Sequence, residues 1–340
     1  MNARRLHPAL ALGLLALLLA GAVGVRLLAG GDGRSAAGLW GWPASADVLD
    51  LRIQRIAAGA VVGSALALAG VYLQTLLRNP LASPDLLGLA SGAGLGVMIS
   101  AYVSSVAAPA LTLAAVSMPS IAVAGPAAVA GAGGALALVF VLSRRRGMLQ
   151  PVTLILTGVI VSIICSAGTL LVKHLMPDRG FAASRWLLGS ISDELTLAHV
   201  VPVGVLTLAV GAAGVVIARS LDASSLSDEE ARSVGVPLAH VRIFLFAASG
   251  VLAAGAVVLA GPIGFVGLVC PHIARILSGP RHRTLIPAAM LAGAALLVGA
   301  DALVKLLPLD AGRLPIGVIT ALVGGPVLIA MLRRGVRDER

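Results

Sequence analysis

Residues Leu86 to Ser143 read LLGLASGAGLGVMISAYVSSVAAPALTLAAVSMPSIAVAGPAAVAGAGGALALVFVLS, and no charged residue interrupts these 58 positions. Because the hydrocarbon core of a bilayer is about 30 Å thick, a membrane-spanning helix needs about 20 consecutive, mostly apolar residues. The stretch is long enough for two spans. We expect the break between them in the region from Pro109 to Pro126, since proline interrupts helices. The stretch therefore predicts a chain that crosses a membrane more than once.

Further uncharged, apolar runs lie on both sides of this stretch in the sequence. Ile243–Ala274 contains Gly261-Pro262, so we expect it to form two helices rather than one. Together the runs predict about ten spans, an all-α polytopic fold and a single membrane domain over residues 1–340. The remaining runs are Leu6–Val25, Ile56–Leu77, Pro151–Val172, Leu195–Ala218, Thr284–Ala300 and Leu314–Leu332.

The composition agrees with a chain that is largely covered by lipid. Of its 340 residues, 58% are hydrophobic and 12% are charged, whereas soluble proteins carry about 25% charged residues. Basic loops that set membrane orientation explain the formal net charge of +10, so we expect no nucleic-acid partner. The run Leu6–Val25 follows Arg4-Arg5 and also fits a secretory signal peptide. We interpret it as a retained helix, because an even number of spans fits the loop charges.

Arginine and lysine residues predict the orientation, because cytoplasmic loops carry an excess of them. With the N-terminus inside, the clusters Arg144-Arg145-Arg146 and Arg333-Arg334 fall on the side with more positive charge. Both termini are then cytoplasmic. The same orientation leaves Arg52, Arg55 and Lys305 on the outer side.

The polar segment 219–240 is longer than a connection between two spans requires. It contains Asp228-Glu229-Glu230-Ala231-Arg232, followed by Gly235 and Pro237. We expect one or two short helices that lie on the inner membrane face. Such a loop is a candidate docking element for a cytoplasmic partner, and a solvated linker is the alternative.

The sequence contains no recognisable catalytic or cofactor-binding motif. A phosphate-binding loop requires Gly-Lys-Ser/Thr, but the only two lysines, Lys173 and Lys305, each follow a valine. The two cysteines, Cys165 and Cys270, have neither zinc-site nor redox spacing. We therefore expect no enzymatic activity, no cofactor and no metal site in this chain.

The acidic residues bear on the source of energy for any transport. Asp85 and Asp301 fall near the ends of predicted spans, and we interpret both as structural. Transporters driven by protons or sodium keep ionisable groups within the membrane. The lack of an acidic cluster near the midplane favours energy supplied from outside the chain, through the inner loop. An ion-coupled secondary transporter remains the alternative, and a membrane-embedded enzyme is a second one.

Several stretches resemble the FecCD-type permeases, which belong to ATP-driven importers of iron-siderophores, haem and cobalamin. The likeness runs in order through most of the chain, and its most specific part is Gly261-Pro262-Ile263-Gly264-Phe265-Val266-Gly267-Leu268-Val269-Cys270-Pro271-His272-Ile273-Ala274-Arg275. Other matching stretches are Leu51–Arg55, Ala67–Gln74, Arg78–Gly88, Trp186–Ser190, Leu314–Thr320 and Gly324–Val327.

The resemblance implies ten spans in a subunit of the bacterial cytoplasmic membrane. It also implies a second permease subunit, two cytoplasmic ATPases and an external substrate-binding protein as partners, with membrane lipid around them. Whether the two permeases are identical is left open, as is the choice among siderophore, haem and cobalamin. Where the cobalamin type carries small hydroxyl residues at its inner gate, this chain has Pro151 and Val152, which makes cobalamin a weaker candidate.

Three groups of residues are candidate sites. Asn79 and Leu81 flank Pro80, which must interrupt a helix, and we expect a narrow inner gate there. Arg52 and Arg55 begin a helix, where the helix dipole disfavours positive charge. In the resembling family the matching basic positions receive acidic residues of the binding protein, so we expect Arg52, Arg55 and Lys305 to dock it, with lipid headgroups as the alternative partner. We expect the loop to couple to the ATPase through Asp228, Glu229, Glu230, Arg232 and Gly235.

Overall fold

The computed structural model describes residues 7–30, 40–43, 45–107, 121–145, 148–176, 188–307 and 314–338. Within these ranges the chain is almost entirely helical. One 3-10 helix spans Pro84–Leu87, and two very short antiparallel strands, β1 (Arg144–Arg145) and β2 (Met148–Leu149), form a hairpin. The helices are α1 (Pro8–Leu28), α2 (Ala46–Leu77), α3 (Leu89–Ala107), α4 (Ile121–Ser143), α5 (Pro151–His174), α6 (Leu197–Val216), α7 (Ala218–Ser224), α8 (Asp228–Ser233), α9 (Leu238–Ala260), α10 (Val266–Ser278), α11 (His282–Leu306) and α12 (Ile316–Asp338).

Eight of the helices in the described ranges are long and apolar enough to cross a membrane: α1 to α6, α9 and α11. The apolar parts of α10 and α12, Val266–Ser278 and Ile316–Ile329, are shorter and occupy the positions of the two remaining spans expected from the sequence. The all-α membrane fold is thus confirmed, whereas a total of ten spans and cytoplasmic termini stay predictions.

The two breaks expected at proline have different outcomes. The break at Gly261-Pro262 is confirmed, because α9 ends at Ala260 and α10 begins only at Val266. The other break was expected between Pro109 and Pro126. Residues 109–120 of that region lie outside the described ranges, whereas Ile121 to Pro126 belong to α4, so proline does not interrupt the helix at Pro126.

Helix α2 is the centre of the packing, and small residues let its neighbours approach it closely. A Cβ atom added at Gly63 would lie 2.2 Å from the carbonyl oxygen of Gly293 in α11. One added at Gly70 would lie 1.8 Å from the carbonyl oxygen of Gly267 in α10. Neither position accepts a larger residue without separating the helices, so these glycines fix the places where α11 and α10 cross α2.

Helix α1 packs against α11. Near its C-terminal end, the buried side chain of Arg26 forms an ion pair with Asp301 of α11. This ion pair fixes the C-terminal end of α1 against α11.

The charged residues that form ion pairs gather at two opposite ends of α2. We call the end near its first turns the predicted outer face; it carries Arg26, Arg52, Arg55, Asp193, Asp301 and Lys305. We call the end near Leu77 the predicted inner face; it carries Arg78, Asp222, Asp228, Arg242 and His282.

Candidate functional site

A buried carboxylate organises the predicted outer face. Asp301 in α11 is 2% exposed, and its two oxygens accept from two guanidinium groups: Oδ2 from Arg26 Nε at 2.5 Å and Oδ1 from Arg55 Nη2 at 2.6 Å. Arg55 also donates from Nη1 to Asp193 at 2.5 Å and to the carbonyl oxygen of Ile191 at 2.9 Å. The interpretation of Asp301 as a structural residue agrees with this position, which joins α1, α2 and α11.

Arg52 does not lie on the surface as its proposed docking role would require. Its side chain is buried, and the guanidinium donates to three backbone carbonyls: those of Leu27, Gly30 at 2.6 Å and Gly41 at 3.1 Å. The carbonyl of Leu27 belongs to the last turn of α1, and that of Gly30 follows the helix. Free carbonyl groups at the C-terminal end of a helix attract cations. The internal partners therefore explain why arginine stands at the start of α2.

Arg55 and Lys305 keep partial access to solvent. Arg55 is 11% exposed, and its partner Asp193 is 56% exposed. Both basic residues line a cavity of about 190 Å³, together with Arg26 and Arg52. The positive charge at this face is thus present as expected from the sequence, although binding of a partner there stays a prediction.

Asp228 fastens the inner loop to the membrane helices. Its carboxylate accepts from Arg78 Nη2 at 2.7 Å, and from Arg242 Nη2 at 2.7 and 2.9 Å. Burial disfavours the charged carboxylate, but the hydrogen bonds and positive charges of the two arginines outweigh that effect, so the pKa of Asp228 lies below its usual value. The loop is therefore held between the end of α2 and the start of α9 at neutral pH.

The other loop residues selected from the sequence divide into structural and exposed ones. Glu230 closes the capping box of α8, accepting from Ser227 N at 3.0 Å and Ser227 Oγ at 2.7 Å, and these hydrogen bonds lower the pKa of Glu230. Gly235 follows α8 with φ of +78°, which glycine tolerates at a helix end. Glu229 and Arg232 are exposed. The expectation of one or two short helices is confirmed by α7 and α8.

Sequence reasoning missed a second fastening of this loop, through His282. Asp222 Oδ1 accepts from the backbone N of His282 at 2.9 Å and lies 2.6 Å from its Nδ1, while Nε2 lies 2.8 Å from Thr75 Oγ1. Thr75 Oγ1 also lies 2.8 Å from Val71 O, so this hydroxyl connects the ring of His282 with the backbone of α2. The residues are far apart in sequence, and no local pattern links them.

The candidate gate residues lie directly beyond α2. Arg78 takes a left-handed conformation, with φ of 49°, and ends the helix. Asn79 Oδ1 then accepts from the backbone N of Leu81 at 2.9 Å, which forms a side-chain-stabilised turn around Pro80. Asn79 and Leu81 are half-buried. Next to them a cavity of about 650 Å³ is lined by Gln74, Thr75, Arg78, Asn79, Pro80, Asp222, Ser225, Arg275, Pro280, Arg281 and His282.

The 3-10 helix after this turn lies deeper than the sequence suggested. A Cβ atom added at Gly267 would touch Pro84 and would lie 2.9 Å from the carbonyl oxygen of Leu66. Leu66 stands 11 residues before the end of α2, or about 16 Å along the helix axis. Asp85 does begin a helix just before a span, as expected from the sequence, but that position lies at the level of Leu66 rather than at the end of α2.

A bundle of apolar helices with charged clusters at both ends and a broken segment at membrane depth defines a multi-pass membrane transport subunit. Comparison with known proteins gives the family. The profile of the FecCD transport family matches residues 10–334, and the chain belongs to this family. It is thus a permease subunit of an ABC importer in the cytoplasmic membrane, the kind of permease that works with a separate ATPase and a substrate-binding protein.

Named relatives span several cargoes. The chain is 35% identical to the cobalamin import permease BtuC of Halobacterium salinarum, over 86% of this chain and 76% of the relative. It is 35% identical to the ferric enterobactin permease FepD of Escherichia coli, with 85% and 83% covered, and 34% identical to the hemin permease HmuU of Yersinia pestis, with 86% and 84% covered. A solved metal-chelate type ABC transporter in an inward-facing conformation superimposes with a TM-score of 0.79 at 28% identity, covering 96% of this chain and 99% of that one.

The geometry at the predicted outer face predicts that Asp301→Asn destabilises the permease strongly. The substitution leaves the buried guanidiniums of Arg26 and Arg55 without their shared counter-charge, which costs about 3–5 kcal/mol for a buried pair. Thermal unfolding of the purified protein measures the loss. The control is Asp193→Asn, which removes an exposed partner of Arg55 and should cost less than about 1 kcal/mol. Equal effects of the two substitutions would contradict a structural role for Asp301.

Proposed function

We propose that this chain forms the translocation path for a bulky metal chelate, with a ferric siderophore as the first candidate. The proposal is carried by the match along most of the chain to permeases whose names give ferric enterobactin, hemin and cobalamin as cargo. Cobalamin is the weaker candidate, because Pro151 and the 70% exposed Val152 stand where the cobalamin type carries hydroxyl residues. A single permease domain over residues 1–340 and a pair of permeases around the path are parts of the same proposal.

Uptake into proteoliposomes distinguishes this function from ion-coupled transport. Vesicles should contain the permease with its ATPase, and the cargo should be presented on the external binding protein after a binding screen of ferric siderophores, hemin and cobalamin. We expect uptake that requires internal ATP and that persists when proton and sodium gradients are dissipated. Uptake that follows an ion gradient without ATP would instead support the secondary transporter.

The loop 219–240 is proposed to receive the ATPase on the predicted inner face. Between its two fastenings at Asp222 and Asp228, and again after α8, it presents apolar side chains to solvent: Leu226 is 49% exposed and Val234 is 64% exposed. The exposed charges of Glu229 and Arg232 accompany them. Apolar contacts within a polar rim are typical of a protein interface.

Replacing Val234 by Asp together with Glu229 by Arg should prevent copurification of the ATPase, because a charge enters the apolar contact and the rim charge changes sign. Both side chains point to solvent, so the permease should remain folded, and unchanged thermal unfolding checks this. Arg144→Glu, on the β1–β2 hairpin of the same predicted face, is the control for a charge change elsewhere on that face. The loop has no coupling role if the double variant retains the ATPase as well as the control does.

Docking of the binding protein is proposed at Arg55 and Lys305, with Arg52 supporting them from within. The direct test uses Lys305→Glu, and unchanged thermal unfolding checks that this variant remains folded. Affinity for the binding protein should fall several-fold at low salt, and the loss should shrink as ionic strength rises. Lys173→Glu, an exposed lysine at the end of α5, is the control. Equal affinities of both variants at low salt would favour lipid headgroups as the partner of these charges.

The turn at Asn79 and Leu81 is proposed as the inner gate between two permease subunits. Its support is the left-handed end of α2, the turn held by Asn79 Oδ1 and the adjoining cavity of about 650 Å³. If two copies meet there, Asn79→Cys should crosslink between subunits in one nucleotide state and not in the other. Crosslinking that is absent with and without ATP would argue that the turn is only a bend between helices.

A further inference from the structure

Asp85 has an exposed side chain, although it lies at the depth of the membrane-spanning helices. It belongs to the 3-10 helix Pro84–Leu87, which contacts α2, α3, α4, α5 and α9. Gly88, immediately after it, approaches Gly158 and Val161 in α5. These residues stand seven and ten positions beyond Pro151, the start of α5, which is about 10–15 Å along the helix axis. Asp85 therefore lies well inside the bundle rather than at its edge.

Few groups of the protein compensate the charge of Asp85. Ser83 Oγ donates to its Oδ2 at 3.1 Å, and no Arg, Lys or His side chain in the described ranges forms an ion pair with it. The carboxylate is nevertheless exposed on one side, while protein atoms surround it on the others. Asp85 thus lies in a recess on the surface of the single chain.

The recess lies where two breaks in the helical backbone meet. A Cβ atom added to Gly264, in the segment between α9 and α10, would lie 3.7 Å from Asp85 Oδ2. Non-helical backbone at membrane depth is tolerated where it is buried in protein or lines a water-filled cavity. An ionised side chain at such depth faces a bundle interior or water, because exposure to lipid costs several kcal/mol.

We propose that Asp85 faces the water-filled translocation path, on the outer side of the Asn79–Leu81 turn, and makes this part of the path selective for charge. The carboxylate favours passage of chelates with positive or no net charge and disfavours polyanionic ones. The inference rests on the proposed function, since it assigns the residue to the path of the importer. It adds a property of the cargo that the relatives, with their different cargoes, leave open.

Water access at Asp85 is tested by thiol labelling of the permease–ATPase complex in nanodiscs. In a Cys165→Ala background, where the buried Cys270 should not react, Asp85→Cys should react with both a trimethylammonium and a sulfonate methanethiosulfonate. The matched control is Leu208→Cys: Leu208 is 66% exposed and lies eight residues from the end of α6 at the predicted inner face. It should react only with a membrane-permeant maleimide. If the thiol at position 85 behaves like that control, the proposal is wrong.

The charge itself is tested at the neighbouring Ser83. Ser83→Cys is labelled with the cationic and with the anionic reagent, and the ratio of the two rates is compared between Asp85 and Asp85→Asn. This ratio should be about three- to tenfold higher with Asp85, which is the effect in water of a carboxylate about 7 Å from the charged group of the reagent. A ratio that Asp85→Asn leaves unchanged, or a Ser83→Cys thiol that neither reagent reaches, would overturn the assignment. Both measurements are independent of ATP-driven uptake, so their failure is distinguishable from failure of the proposed function.

Discussion

The fold depends on one constraint: inside a membrane every backbone polar group must find its partner within the protein. Most of the described residues meet it with helices. Two interruptions of the α-helical backbone, at 78–88 and at 261–265, lie against each other. Gln74 lies beside them. Its buried amide nitrogen lies 3.4 Å from the carbonyl of Ala82 and 3.5 Å from those of Gly267 and Leu268, while its oxygen accepts from Arg275 at 3.2 Å. One side chain of α2 thus contacts both the turn that follows α2 and the first turn of α10.

Such an arrangement is possible only because α2 carries so few large side chains at its crossings. Gly63 and Gly70 bring the backbones of α11 and α10 into contact with it, and the close approach replaces the hydrophobic driving force that lipid removes. Among the described residues, the ion pairs then lie at the two ends of α2. There two carboxylates each pair with two arginines: Asp301 with Arg26 and Arg55, and Asp228 with Arg78 and Arg242.

The parts of the fold that could be predicted from sequence are those that local chemistry determines. Apolar runs located eight spanning helices, Gly261-Pro262 located a break, and the polar segment 219–240 located α7 and α8. The inward direction of Arg52 and the pairing of Asp222 with His282 depend on partners that are distant in sequence, so no window of residues contains them. The depth of Asp85 was missed for a related reason: a segment that re-enters the bundle looks, in the sequence alone, like a loop at its edge.

The predicted inner face connects the loop to the candidate gate through a single residue. Arg78 donates from Nε to the carbonyl of Ser224 at 3.0 Å and from Nη2 to Asp228 at 2.7 Å, so it contacts α7 and α8 together. The same residue ends α2, and Asn79 follows it directly. A displacement of the loop must either break these charge-assisted hydrogen bonds or move Arg78 with it. Because Asn79 Oδ1 fixes the turn to Leu81, a movement of Arg78 would displace both candidate gate residues, Asn79 and Leu81, together. If the loop receives the ATPase as proposed, Arg78 is thus the residue through which its movement would reach the candidate gate, without a change in the helix crossings at Gly63 and Gly70.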